Sequence, residues 1–295
     1  MRAMIRTIIS AGRRTILTQS RRYRSEDTHP TVGRALQKKV ALVTGSTSGI
    51  GLEVATVLAR NGASILLNGF CDPKEIENIQ VRLKRKYEVD IHYVGGDLTK
   101  RNDVNMLCQK VDSLYPGGVD VLINNAGFQH VSRIEDFPLE KWDELLAILL
   151  TAPFLLTRHF ISRLKEKGWG RVINIASMHG LRASPNKAAY VSAKHGVLGL
   201  TKVIALETAG SGITCNAVCP GYVDTPIYRK QLERKALDEG CDLETAKRKF
   251  LQPVHPTLEV ITSEQVAELV LFLCSRAADQ MTGSVLTMDG GWSAR

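Results

Sequence analysis

From residue 38 onward, short apolar runs alternate with amphipathic stretches, and this alternation limits the possible folds more than any other feature. The runs are 39–44 (KVALVT), 63–68 (ASILLN), 90–95 (DIHYVG), 119–124 (VDVLIN), 171–176 (RVINIA), 213–219 (ITCNAVC) and 284–288 (SVLTM). Helical patterning fills 50–61, 73–86, 100–114, 139–166, 187–210 and 263–275. A strand that is apolar on both sides must be covered on both sides, and parallel strands need a crossover between them. The pattern therefore predicts an α/β fold: a single doubly wound domain over 37–295, with a mainly parallel, seven-stranded sheet and helices on both faces. Residues 222–262 are polar and mixed, break the alternation, and are expected to form a lid over the ligand crevice.

Charge adds little about the domain. The chain of 295 residues has a formal charge of +9, but residues 1–25 hold seven Arg and no acid. The remainder has 32 basic and 30 acidic residues, which argues against a nucleic-acid partner. The leading segment is rich in Arg, Ser and Thr, and Ile5, Ile8, Ile9, Ile16 and Leu17 could share a helix face. That is the composition of a mitochondrial transit peptide, with cleavage expected near Tyr23–Ser25, a linker over 26–36 and a mature chain in the matrix. The apolar stretch 145–156 contains Pro153 and is short for a bilayer span, so no membrane span is expected. Six scattered cysteines include only one close pair, Cys215 and Cys219, so no metal site is expected.

The first strand runs into Thr44-Gly45-Ser46-Thr47-Ser48-Gly49-Ile50-Gly51 and then a helix. Glycines at this spacing permit a tight turn and let the backbone and helix N-terminus approach a pyrophosphate, which marks a Rossmann dinucleotide site. Asn68-Gly69-Phe70 ends the second strand, where a ribose-binding acid is usual. Asn68 can hydrogen-bond a ribose hydroxyl. No Arg or Lys lies between Gly45 and Arg60 or between Ile65 and Pro73, which favours NAD over NADP.

Tyr190 and Lys194 lie four apart in a predicted helix, and Ser177 closes the fifth strand at the same end of the sheet. A Tyr is a poor base near neutral pH, but a Lys ammonium and an oxidised nicotinamide would both favour its phenolate. Tyr190 is thus the expected acid/base in an alcohol–carbonyl interconversion, with Ser177 on the same oxygen.

These residues, with Asp97-Leu98, Asn124-Asn125-Ala126-Gly127 and PGYVDTP (220–226), resemble the short-chain dehydrogenase/reductase family. Within it the chain is most similar to the D-3-hydroxybutyrate dehydrogenase group, through AGFQH (126–130), INIASMHG (173–180), NKAAYVSAKHG (186–196) and MDGGWSAR (288–295). The resemblance implies an NAD enzyme, usually a homotetramer, interconverting D-3-hydroxybutyrate and acetoacetate. It implies that Gln129, His179, Lys187 and Gln231 hold the substrate carboxylate. Thr47, Ser48, Ile50 and Phe70 would join the glycines at the cofactor, Asp97 and Leu98 would meet adenine, and Asn124, Ala126 and Gly127 the adenosine ribose region. Pro220, Gly221, Val223 and Thr225 would meet the nicotinamide end.

The pattern breaks in two places. Where the family has a fourth catalytic Asn, this chain has Leu149. Pro153, four residues on, has no N–H to give the Leu149 carbonyl, so it could expose that carbonyl to a relay water by another route. Tyr222 stands where close relatives often carry Trp. Two further readings remain open: another small hydroxy or keto acid as substrate, or an NAD-binding protein whose catalysis Leu149 has weakened.

Overall fold

The computed structural model describes residues 34–294. The expected leader and most of the expected linker lie outside them. Leu36 is buried and its N–H donates to the Asn61 carbonyl, so packing begins slightly before residue 37.

Seven strands form one sheet: β1 Val40–Val43, β2 Ser64–Leu67, β3 Ile91–Tyr93, β4 Val121–Asn124, β5 Gly170–Ile175, β6 Ile213–Pro220 and β7 Val285–Met288. The order is β3-β2-β1-β4-β5-β6-β7, and every pairing is parallel, including the one at each edge. Alternate side chains feed two separate cores. Ala41, Val43, Ile65 and Ile123 face α1 (Gly49–Arg60), α2 (Pro73–Tyr87) and α9 (Ser263–Cys274). Val40, Leu42, Leu66 and Leu122 face α3 (Arg101–Leu114), α4 (Leu139–Leu146), α5 (Ala152–Lys167) and α6 (Ala188–Glu207). This is why the strands are apolar throughout. The chain winds outward from β1 in both directions, so a crevice opens between β1 and β4 at their C-terminal ends.

Local signals set the helix ends. Asp72 caps α2 through the Lys74 N–H, Pro73 occupies its first turn, and Lys84, Arg85 and Lys86 meet its negative end. A capping box of Thr262 and Gln265 starts α9. Between α4 and α5 the helix opens into a π turn, Ala147–Thr151, in which the Ala152 N–H reaches back five residues to the Ala147 carbonyl. The whole helical run, Leu139–Lys167, is longer than the apolar stretch suggested and is apolar enough to cross a membrane by composition alone. It is a core helix: Leu145, Leu149, Leu156, Phe160 and Leu164 pack into the sheet's second core.

The interrupting segment contains two helices, α7 (Pro226–Glu239) and α8 (Leu243–Leu251), packed on each other. Thr225 caps the first and Asp242 the second. Its return limb pairs Ile261 with Val223, so the segment leaves and re-enters the fold at one place.

Candidate active site

The glycine turn is built for close approach. Gly45 has φ +63°, and a Cβ there would stand 2.8 Å from the Ala126 Cα. A Cβ on Gly51 would run into the Gly45 carbonyl oxygen. Thr44 ties the turn to the segment after β4: its Oγ1 accepts the N–H groups of Asn125 and Ala126, each at 3.0 Å. The Asn125 amide donates to the Thr44 and Gly45 carbonyls. Ser48 provides no side-chain cap to α1, and its first turn has no acid. The helix therefore presents bare N–H groups and the positive end of its dipole, a chemical match for a pyrophosphate.

At the end of β2 Asn68 is buried, and its amide donates to the Val94 carbonyl (3.0 Å) and the Gly96 carbonyl (3.4 Å). That nitrogen braces β2 against the segment after β3 instead of turning outward. The Thr47 hydroxyl donates to the Phe70 carbonyl, and the Phe70 ring is exposed. Burial raises the Asp97 pKa, but hydrogen bonds from the Thr99 hydroxyl and N–H outweigh it and leave the carboxyl below its ordinary range. Leu98 beside it is buried.

At the other end of the crevice Tyr190 and Lys194 project from one side of α6, beside the end of β5. The Lys194 Nζ donates to the Ile175 carbonyl at 2.7 Å and lies 5.7 Å from the centre of the Tyr190 ring. Burial pulls the Lys194 pKa down to about 8. Burial pushes Tyr190 up, while hydrogen bonds from Ser177 and Gln129 pull it down, and the net shift is upward. The phenol is therefore protonated until further positive charge arrives. The Ser177 Oγ accepts the His179 N–H at 3.1 Å, which aims that short helical turn. Beneath the site, the Asn124 amide donates to Asn174 Oδ1 and the Asn174 amide to the Thr201 hydroxyl, both at 2.8 Å. Asn124 Oδ1 is buried without a partner. Leu149 is buried in the π turn, and its Cδ2 occupies the place a Cβ on Gly127 would take.

Next to Tyr190 lies a basic pair. The Lys187 Nζ is 3.1 Å from His179 Nε2, so the ring accepts the hydrogen bond and is neutral. Burial, then the Lys187 charge, lowers the His179 pKa to about 4. Burial also lowers Lys187. The His179 ring meets Tyr190 edge-on at 6.0 Å and Trp292 at 5.5 Å. Trp292 in turn stacks on Tyr222 at 5.6 Å.

The short chain dehydrogenase family matches residues 39–236. The D-beta-hydroxybutyrate dehydrogenase of Cupriavidus necator is 47% identical over 260 residues, 88% of this chain and 100% of that one. The enzyme of the same name from Rhizobium meliloti is also 47% identical, over 87% of this chain and 99% of that one. The chain belongs to the short-chain dehydrogenase family. Among solved structures, L-sorbose reductase from Gluconobacter frateurii, complexed with NADPH and L-sorbose, superposes with TM-score 0.84 at 29% identity. That match covers 89% of this chain and 99% of the other. As a short-chain dehydrogenase this protein is an oxidoreductase, and its fold is one that binds NAD or NADP.

In this short-chain dehydrogenase the structure brings Gln129, Ser177, His179, Lys187, Tyr190 and Lys194 together at one end of the crevice. Gly45, Thr47, Ser48, Gly49, Ile50 and Gly51 form the turn and the start of α1, with Ala126 facing Gly45 and Gly127 packed on Leu149. Pro220 ends β6, the Gly221 N–H donates to the Met288 carbonyl, and Thr225 accepts the Tyr228 N–H. Gln231 is half-buried on α7. One residue beside the site escapes a reading of local pattern: Trp292 bridges the His179 and Tyr222 rings, and its one signal is the Gly290-Gly291-Trp292 step near the terminus.

Proposed function

We propose that this protein is an NAD-dependent D-3-hydroxybutyrate dehydrogenase. The reading rests on one observation above all: a half-buried Lys187, bonded to the buried His179, lies beside the proposed acid/base Tyr190. A lysine cation held by a neutral imidazole beside a proton-transfer group suits a short substrate with a carboxylate near its reacting carbon. The 47% identity to enzymes of that name agrees.

In this reading the bound nicotinamide supplies the hydride acceptor. Tyr190 takes the hydroxyl proton while Ser177 holds the same oxygen, and Lys194 keeps positive charge behind the ring. Lys187 and His179, with Gln129, orient the carboxylate, and Gln231 closes on it from α7. Preference for NAD follows from the segment after β2, Asn68 to Asp72, which contains no cation for a 2′-phosphate. Loss of the family Asn favours a second reading, a cofactor-binding protein with weak turnover. Against it, the π turn distorts the helix at Leu149, where Pro153 has no N–H to donate to the Leu149 carbonyl. That carbonyl is the group proposed to hold the relay water.

The test is NADH formation by the full chain with D-3-hydroxybutyrate and NAD, against the L-isomer and against NADP. Turnover confined to the D-isomer with NAD is expected. Bound NAD without turnover would favour the second reading, and an NADP preference would sink the cofactor assignment. The Arg-rich, acid-free composition of residues 1–25 supports import into the mitochondrial matrix, and a reporter fused to those residues that stays in the cytosol would refute that. A tetramer is expected by sedimentation.

A further inference from the structure

His255 follows α8 on the return limb of the lid, and no solvent reaches it. Both its ring nitrogens are engaged. The Tyr222 N–H donates to Nε2 at 3.0 Å, and Nδ1 lies 3.0 Å from the Glu259 carbonyl oxygen. A backbone N–H can only donate and a carbonyl can only accept, so the partners fix the neutral tautomer with hydrogen on Nδ1. The fold leaves space for this ring. A Cβ on Gly221 would run into Nε2, and a Cβ on Gly290 would stand 2.8 Å from Nδ1 and 2.5 Å from the Thr257 hydroxyl. Three chain segments therefore close on one imidazole: the Pro220–Tyr222 exit from β6, the lid's return limb, and the terminal turn after β7.

The consequence lies in what Tyr222 and Trp292 touch. Tyr222 begins the lid, and its carbonyl accepts the Ile261 N–H, so its backbone is held on both sides. Its ring stacks on Trp292, and Trp292 meets His179. An unbroken series of contacts thus leads from the His255 ring through the Tyr222 backbone to the basic pair beside Tyr190. We propose that His255 is a positioning residue: by accepting the Tyr222 N–H it sets the lid's hinge and, through Trp292, the shape of the carboxylate end of the site. The proposal rests on the hydroxybutyrate reading for the identity of the carboxylate, but not for the hinge.

Two substitutions separate the ring's two bonds. His255→Gln puts an acceptor near Nε2 and can keep the Tyr222 bond, whereas His255→Asn puts a donor near Nδ1 and keeps only the Glu259 bond. In the full chain, His255→Asn is expected to speed hydrogen exchange at the Tyr222 amide and raise KM for D-3-hydroxybutyrate, each about tenfold, as for loss of one buried hydrogen bond. kcat and NAD affinity by calorimetry should stay within about twofold, and His255→Gln should stay near wild type in all of these. Equal behaviour of the two variants, or NAD affinity falling along with KM, would overturn the proposal. If the Asn variant fails to fold, the Gln variant decides alone: unchanged Tyr222 exchange supports the hinge and faster exchange refutes it. The exchange comparison uses no substrate, so a wild-type chain inert toward D-3-hydroxybutyrate would refute the substrate reading and still leave the hinge to be judged.

Discussion

Leu149 and Gly127 define the residue-scale departure from the family. The Leu149 side chain fills apolar space against Gly127 and the second core, so polarity there would be buried. Leu149→Asn should therefore lower stability by about 3 kcal/mol, from lost packing and an unpaired amide. Its turnover with D-3-hydroxybutyrate, measured well below the lowered Tm, should stay within about threefold of wild type, because the proposed relay uses the backbone carbonyl. A gain of about a hundredfold would show that the missing Asn side chain limits the enzyme. Tyr190 illustrates a different residue-scale limit. Burial raises its pKa despite the hydrogen bonds from Ser177 and Gln129, so in the proposed reaction the phenol needs further positive charge, from Lys194 and the bound nicotinamide, to give up its proton.

At the scale of elements, the helix from Leu139 to Lys167 does two jobs. Its apolar side holds the sheet, while its π turn places a backbone irregularity at the crevice. Pro153 lies just after the π turn inside this continuous run, where its missing N–H leaves an upstream carbonyl without its usual donor. Pro153→Ala restores a donor for the Leu149 carbonyl and allows the turn to relax toward α geometry. It is expected to leave thermal stability equal or higher and to lower kcat about tenfold. Unchanged kcat would detach the π turn from catalysis. Segment 222–262 shows the opposite economy: α7 and α8 have ordinary caps but few buried side chains, so their position depends on the two ends, where Tyr222, Val223 and Asp224 pair with His255 and Ile261.

For the whole molecule, buried histidines link stability to pH. His179 has its pKa lowered from 6.5 to about 4, and burial lowers His255 as well. Between those values the unfolded chain binds protons that the folded chain refuses, so stability falls as pH drops below about 6.5. For His179 alone the loss by about pH 4 is on the order of 3 kcal/mol. Asp97 and Asp289 act in the same direction at lower pH. Burial raises both, but hydrogen bonds from Thr99, and from Ser293 and Gly291, hold them below the ordinary value. Urea midpoints should fall steadily from pH 7 to 4.5, and His179→Gln should flatten that slope. A flat wild-type profile would show that these rings are not held neutral.

Pattern within the chain was enough to determine the sheet, its mainly parallel sense, the six covering helical runs (though not the π turn that divides the fourth) and the grouping of Ser177, Tyr190 and Lys194. Each of these follows from short-range rules: a strand buried on both faces must be apolar throughout, side chains four apart share a helix face, and parallel strands align their C-terminal ends. The two lid helices were not legible because their apolar positions are sparse and their caps are ordinary loop residues. The inward turn of Asn68, the Leu149–Gly127 contact and the slot around His255 were decided only by tertiary structure. In each, residues far apart in sequence compete for one small volume or share one buried hydrogen-bond partner. Pairings of that kind leave no period in the sequence to read.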